Sequence, residues 1–212
     1  MIRAIVFDID GTIMDTEDAI LRSLKQATDE AGYSFSIDDL RFVFGVPGEE
    51  ALPKLAITDV DAVLKRCHEL ESEALKDTKP FGNIENVIHE LSSLGIKLGI
   101  VTSKSTEQYN DTMKNKACSQ YFDEVVVTEC TELHKPHGEP LSYCLEKMNV
   151  APSEAIYIGD TIYDNQCAKE AGAKFGLAHW GARTTEGFKA DYVLEQPSDL
   201  LKLVVDTDVY HF

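Results

Sequence analysis

Positive charge is scarce in this chain: 20 Lys and Arg stand against 37 Asp and Glu among 212 residues, a net charge of −17. Binding a nucleic-acid backbone takes clustered Lys and Arg, so nucleic acid is excluded as a principal partner, and an anionic membrane surface with it. Long apolar runs are also missing. None approaches the roughly 20 residues of a membrane span. The opening run, residues 2–7, is too short for a signal peptide's apolar region and ends at Asp8. Cysteine is sparse and unpatterned: Cys67, Cys118, Cys130, Cys144 and Cys167 are odd in number, widely spaced and include no C-x-x-C pair. A disulfide framework is thereby excluded, and the usage is that of a reducing compartment, where thiols serve as small core hydrophobes. A soluble, cytoplasmic protein is expected.

What is present suits a packed domain. The chain is 43% hydrophobic and 27% charged, close to the globular average, with no internal repeat or low-complexity segment. Short apolar runs at residues 2–7, 96–101, 125–127, 155–158 and 174–177 read as buried strands of a parallel sheet. Amphipathic stretches lie between them. Ile84, Val87, Ile88, Leu91 and Leu94 share one helical face, with Asn83 at the start and Gly95 past the end. Leu141, Cys144, Leu145 and Met148 repeat the spacing. Such alternation predicts an α/β fold, Rossmann-like, wound around a parallel sheet. The single tryptophan, Trp180, reads as a core plug.

Residues 15–80 break the alternation, for they carry only helical signals. Asp15-Thr16-Glu17-Asp18 resembles an acidic helix start, followed by Ile20, Leu24, Ala27 and Ala31 and stopped by Gly32. A second helix opens at Thr58-Asp59 with Val60, Val63, Leu64, Cys67, Leu70 and Ala74 on one face. Pro80-Phe81-Gly82 punctuates the return. This predicts an α/β core of residues 1–14 and 81–212 carrying a small all-helical domain of residues 15–80.

The densest chemical signal is Asp8-Ile9-Asp10-Gly11-Thr12, directly after the first strand. Carboxylates two apart on an extended chain point the same way. At the carboxyl end of a parallel strand they face the crevice where α/β folds bind ligands. A solvated Asp-rich turn is the plain alternative. An EF-hand loop is not, since its glycine belongs at the sixth position and Gly11 is fourth from Asp8. Other strand ends weigh against the turn. The second strand runs into Thr102-Ser103, the third is followed by Lys135-Pro136, and the fourth ends in Gly159-Asp160, with Asp164 four residues on. Cys130, His134 and His137 have loosely metal-like spacing but no evident fourth ligand, and they read as solvated loop residues. His68 falls on the exposed side of its helix.

The order and spacing of Asp8-Ile-Asp10-Gly-Thr, Val101-Thr102-Ser103, Lys135-Pro and Gly159-Asp160-Thr-x-x-Asp164 resembles the haloacid dehalogenase-like (HAD) hydrolase superfamily, in its phosphoglycolate phosphatase-like group with a small helical cap. The resemblance covers the whole chain; it departs at Gly138, where relatives often have proline. It implies a phosphatase acting on a small phosphorylated metabolite, with Mg²⁺ as cofactor. In that implied scheme Asp8 is the nucleophile and forms an aspartyl-phosphate, while Asp10 protonates the leaving alkoxide and later activates water. Asp8, the Asp10 carbonyl and Asp160 hold the metal, with Asp164 beside it. Lys135 supplies fixed positive charge, and Thr102, Ser103 and backbone N–H groups at Gly11 hold the phosphoryl oxygens.

Substrate choice is expected from the helical insert. Gly45 and Gly48 let backbone approach a ligand, and Arg41, Phe44 and Gly45 are the candidate contacts; the plain alternative is a loop that packs Phe44 into the insert's own core. A true dehalogenase has no need of Asp10 as acid. A sugar-phosphate mutase, β-phosphoglucomutase-like, remains an alternative, although no basic cluster follows Asp15. A receiver-like regulatory domain that is phosphorylated without turnover is a second. Either a monomer or a homodimer fits the chain.

Overall fold

The computed structural model describes residues 1–205. Among them, strands β1 (Ala4–Phe7), β2 (Lys97–Val101), β3 (Glu124–Val126), β4 (Ala155–Gly159), β5 (Lys174–Ala178) and β6 (Tyr192–Leu194) form one sheet in the order β3-β2-β1-β4-β5-β6. Each of these pairings is parallel. Between β1 and β2 lie helices α1 (Glu17–Glu30), α2 (Ile37–Leu40), α3 (Gly48–Ala51), α4 (Val60–Ala74) and α5 (Ile84–Ser93). Helices α6 (Thr106–Thr112), α7 (Glu139–Lys147), α8 (Ile162–Ala171) and α9 (Asp199–Val205) follow β2, β3, β4 and β6. The architecture is the expected Rossmann-like α/β fold.

Period-two alternation divides the sheet between two cores. Ile5, Phe7, Leu98, Ile100, Ile156 and Ile158 point to one face, where Ile84, Val87, Ile88 and Leu91 of α5 and Leu200 of α9 cover them. Ala4, Val6, Val101, Tyr157 and Leu177 point to the other, under Leu141, Cys144 and Leu145 of α7 and Cys167 and Ala168 of α8. Each fully buried Leu or Ile contributes roughly 1.5–3 kcal/mol of burial free energy, so both faces must be covered before the sheet is stable. Edge strand β6 carries no such run, with Tyr192 half-buried and Val193 exposed, and the sequence pattern does not show it.

The helical block has an apolar cluster of its own. Leu21, Leu24 and Ala27 of α1, spaced by three, pack on Val63, Leu64 and Cys67 of α4, where Cys67 lies three and four residues beyond the other two, so each set shares one helix face. The chain enters and leaves the block side by side, since Asp15 N–H donates to Lys79 O (3.0 Å) and Phe81 N–H to Ile13 O (2.9 Å). β1 sits where the strand order reverses, between β2 and β4. That switch point places the carboxyl ends of all three strands around one crevice. Among the described residues, no helix is long and apolar enough to cross a membrane.

Candidate active site

Asp8 follows β1 immediately and its N–H still donates to Ile158 O (2.9 Å), so the sheet ladder itself fixes the backbone there. Its side chain is almost fully buried. Lys135, 2% exposed, reaches in from the loop after β3 and donates to Asp8 Oδ1 (2.8 Å) and Asp164 Oδ1 (3.0 Å). Burial pushes the Asp8 carboxyl up to about 7, against the pull of the Lys135 ammonium and with the repulsion of Asp164 and Asp10. Burial alone would lower the Lys135 value, but the Asp164 and Asp8 carboxylates outweigh it and hold the ammonium above its usual range.

Asp8, Asp160 and Asp164 bring carboxylate oxygens within 4.8 Å of one another. Burial holds Asp160 well above the usual carboxylate range, and its neighbours Asp164 and Asp8 add to the effect. Thr12 donates to Asp160 Oδ1 (2.9 Å). Gly11 makes room beside Asp160: its φ is +82°, and a Cβ there would lie 2.2 Å from Asp160 Oδ2. Asp164 is occupied differently. Its Oδ1 accepts from Lys135 and from Tyr157 Oη (3.0 Å), and its Oδ2 accepts from Thr161 N–H (3.0 Å) and Thr161 Oγ1 (2.5 Å) at the start of α8. The single Tyr157 proton is shared with Val101 O (2.9 Å), so Lys135 and Thr161 are the full donors to Asp164. Asp164 thus steadies Lys135, and the three carboxylates together could offer oxygen to an ion. Crowded hard oxygen donors fit Mg²⁺.

Asp10 sits at the cavity edge, with Oδ1 accepting from Thr16 Oγ1 (2.7 Å) and Oδ2 paired with Lys104 Nζ (2.9 Å). Thr102 Oγ1 accepts from Lys104 N–H (3.2 Å), which leaves its own proton free to donate. Ser103 donates to Gly45 O of the helical block (3.0 Å) and so links the two parts of the chain. Phe44 and Gly45 line the cavity over Asp8, and Gly45 adopts φ +89° with Thr161 Cγ2 2.9 Å from where a Cβ would be. Arg41 lies outside that lining, with Nε 3.0 Å from Asp38 Oδ1.

The sequence reading did not single out Lys104, Tyr157, Thr16 or, as a support for Asp160, Thr12. Lys104 stands two residues past Thr102 and carried a usable signal, a lysine at a strand end. Tyr157 carried none, because a tyrosine inside a buried strand looks like core. His134 is no solvated histidine: its Nδ1 is 2.9 Å from Glu50 Oε1 of α3 and its Nε2 3.0 Å from Thr128 O. Cys130 and His137 are exposed, and neither joins the acidic cluster. Trp180 is half-buried on the core and donates from Nε1 to Thr12 O (2.9 Å), steadying the loop behind Asp160.

The sequence matches the haloacid dehalogenase-like hydrolase family over residues 5–178. The chain belongs to that family. It is 31% identical to the pyrophosphatase PpaX of Bacillus velezensis, over 95% of this chain and 96% of that one. A crystallised candidate phosphoglycolate phosphatase from Lactobacillus plantarum superposes with a TM-score of 0.88 at 28% identity, covering 96% of this chain and 99% of its own. A candidate β-phosphoglucomutase from Thermotoga maritima reaches 0.73 at 24% identity, covering 97% and 99%, a likeness of fold alone. This HAD-family chain is a phosphatase.

Proposed function

We propose that the chain is a Mg²⁺-dependent phosphatase that hydrolyses a small phosphomonoester through an aspartyl-phosphate on Asp8. The observation that carries the proposal is the buried Lys135 bridge between Asp8 and Asp164 beside Asp160, at the floor of a cavity that reaches the helical block. Asp8, Asp160 and the Asp10 carbonyl would hold the metal. Bound there, Mg²⁺ supplies the charge that keeps Asp8 ionised and offsets its repulsion of a phosphate dianion. Asp8 Oδ attacks phosphorus, Lys135 and Thr102 donate to the phosphoryl oxygens, and Asp10 gives a proton to the departing alkoxide. Asp10 then takes a proton from the water that cleaves the acyl phosphate. Lys104 and Thr16 hold its carboxylate toward that water.

Residues 15–80 act as a cap and residues 1–14 with 81–212 as the catalytic core. Polar contacts span the two: Ser103 to Gly45 O, Tyr163 Oη to Phe42 O (2.9 Å), His134 to Glu50 and Arg183 to Glu17 (2.7 Å). Hydrogen bonds and surface ion pairs of this kind each contribute about 1 kcal/mol, weak enough for the cap to open and admit substrate. Five unpaired cysteines, four of them buried, support a cytoplasmic setting. A mutase reading is less favoured, because Lys104 and Lys135, the cavity's lysines, are already paired with Asp10, Asp8 and Asp164 and none is left for a sugar's own phosphate. Pyrophosphate hydrolysis is the second reading, favoured by the name of the Bacillus velezensis relative.

Asp8→Asn should abolish release of inorganic phosphate from p-nitrophenyl phosphate in the presence of Mg²⁺, because an amide cannot serve as nucleophile. Near-normal turnover in a folded Asp8→Asn protein overturns the mechanism. Steady turnover by the wild type separates a phosphatase from a regulatory domain phosphorylated once.

A further inference from the structure

In the phosphatase proposed above, on which this inference rests, the alcohol part of the substrate fills the cavity between Asp8 and the cap. That cavity is small, about 130 Å³. Much of its wall is apolar, with Leu21, Leu24, Phe44, Val46, Leu52 and Leu64. Apart from Asp8 and Asp10, two carboxylates interrupt the apolar lining, Glu49, which is exposed, and Glu71, which is buried. Glu71 of α4 is 8% exposed and lies on the same helical face as Val63, Leu64 and Cys67.

Glu71 is poorly provided for. Its Oε1 accepts from the Cys67 thiol (3.3 Å), a weak donor, and its Oε2 from Gln108 Nε2 at 3.5 Å, the outer limit of a hydrogen bond. Neither partner is charged. Lys104 and, when protonated, His68 are near enough for their charge to be felt, but Lys104 is bonded to Asp10 at 2.9 Å and neither is ion-paired with Glu71 among the described residues. Burial raises the Glu71 value, the mark of a carboxylate short of positive charge. A buried carboxylate that no cation bonds directly is poorly compensated, and an occupant that brings a cation would relieve it.

The approach to the cavity has the same sign. An outer cleft of about 720 Å³ between α4 and α6 shares Glu49, Leu64, His68, Glu71, Ser105 and Gln108 with the cavity. Asp61, Glu69, Glu107 and Asp111 line it, against Lys65 and His68. A second anionic group, whether a terminal phosphate or a carboxylate, would cross this acidic mouth and come to rest beside Glu71. A cationic group would be drawn in and paired there.

We infer that the substrate is a small alkyl phosphate whose alcohol part carries a cationic nitrogen, and that Glu71 is the specificity-determining residue that receives it. The cleaved phosphate lies over Asp8 and Lys135, the carbon chain against the apolar wall, and the ammonium at Glu71. Inorganic pyrophosphate and phosphoglycolate, which place negative charge at that end, are poor substrates.

The test compares 2-aminoethyl phosphate with n-propyl phosphate, which replaces the ammonium by a methyl group of similar size. Phosphoglycolate, inorganic pyrophosphate and p-nitrophenyl phosphate are run alongside, with Mg²⁺, on the wild type and Glu71→Gln. In the wild type, kcat/KM for 2-aminoethyl phosphate should exceed that for propyl phosphate, phosphoglycolate and pyrophosphate by about tenfold or more. In Glu71→Gln the aminoethyl-to-propyl ratio should fall to near one. A wild-type ratio of one or less, or a preference for pyrophosphate or phosphoglycolate, overturns the inference and leaves the phosphatase reading standing. A high ratio that survives Glu71→Gln overturns the assignment to Glu71. Failure of the wild type to hydrolyse any of the five, p-nitrophenyl phosphate included, overturns the phosphatase reading and this inference together. Should Glu71→Gln not fold, Glu71→Asp, which keeps the charge and withdraws it, should lower the ratio by a smaller factor, and an unchanged ratio there overturns the assignment.

Discussion

Thr16 occupies the N-cap position of α1, yet its side chain makes no cap hydrogen bond. Its hydroxyl donates instead to Asp10 Oδ1 at 2.7 Å. A Thr cap contributes typically about 1 kcal/mol to a helix, so this position forgoes stability to orient a carboxylate. The same trade is larger at the aspartates. Burial holds Asp8 and Asp160 above the ordinary carboxylate range, with the charges of Asp164 and Asp10 adding at Asp8 and those of Asp164 and Asp8 at Asp160. Without metal, the folded protein therefore keeps protons that the unfolded chain, with an Asp pKa of about 3.9, has already released. Stability falls with rising pH wherever the folded state binds more protons. The window here runs from about pH 4, the unfolded value, up to about 7, the folded value of Asp8. In the chelated protein the melting temperature should fall between pH 5 and 7, and it should fall less steeply in Asp160→Asn, which removes one crowded carboxylate. Parallel pH profiles for the two proteins would mean that Asp160 carries no such penalty.

Elements divide the labour differently from the way their lengths suggest. The long helices α1 and α4 supply the cap's packing, while the short connection from α2 to α3 brings Phe44 and Gly45 over the site. Within that connection, Arg41 pairs with Asp38 outside the cavity and Phe44 lines it. Phe44→Ala should thus change the ratio of kcat/KM between a natural-size alkyl phosphate and p-nitrophenyl phosphate by about tenfold, roughly 1.4 kcal/mol. Arg41→Ala should change the same ratio about twofold at most. Equal and large losses for both variants would show that the segment holds the cap together and does not choose substrate.

Across the whole molecule, a net charge of −17 dominates. Ion pairs such as Lys25–Asp29 and Arg66–Glu30 lie at the surface, where water and salt weaken them. Repulsion among the surplus carboxylates acts over longer distances than these contacts, and salt of about 0.1 M screens it beyond about 10 Å. Raising KCl from about 0.02 M to about 0.2 M should therefore raise the melting temperature of the metal-free protein. A falling melting temperature would show that the surface ion pairs outweigh the self-repulsion.

Much of the fold and of the site could be read from the sequence, for a definite reason. Five of the strands, the helical insert and Asp8, Asp10, Lys135, Asp160 and Asp164 are written in local patterns: short apolar runs, helical spacing, and polar residues at strand ends, whereas the order of the strands in the sheet is not. Each depends on a few neighbouring residues, so each survives without knowledge of what packs on it. Edge strand β6 escaped because three residues with one buried side chain make no pattern. The pairing of Lys104 with Asp10, the bonding of Asp164 to Lys135 and Tyr157, and the placing of Glu71 on the cavity were decided only in three dimensions. Each joins a residue of one element to a residue of another, and at Glu71 helical spacing alone foretells burial but not what faces the buried carboxylate. Burial and charge at a site are sums over such neighbours, and those sums exist only once the sheet has brought its strand ends together under the cap.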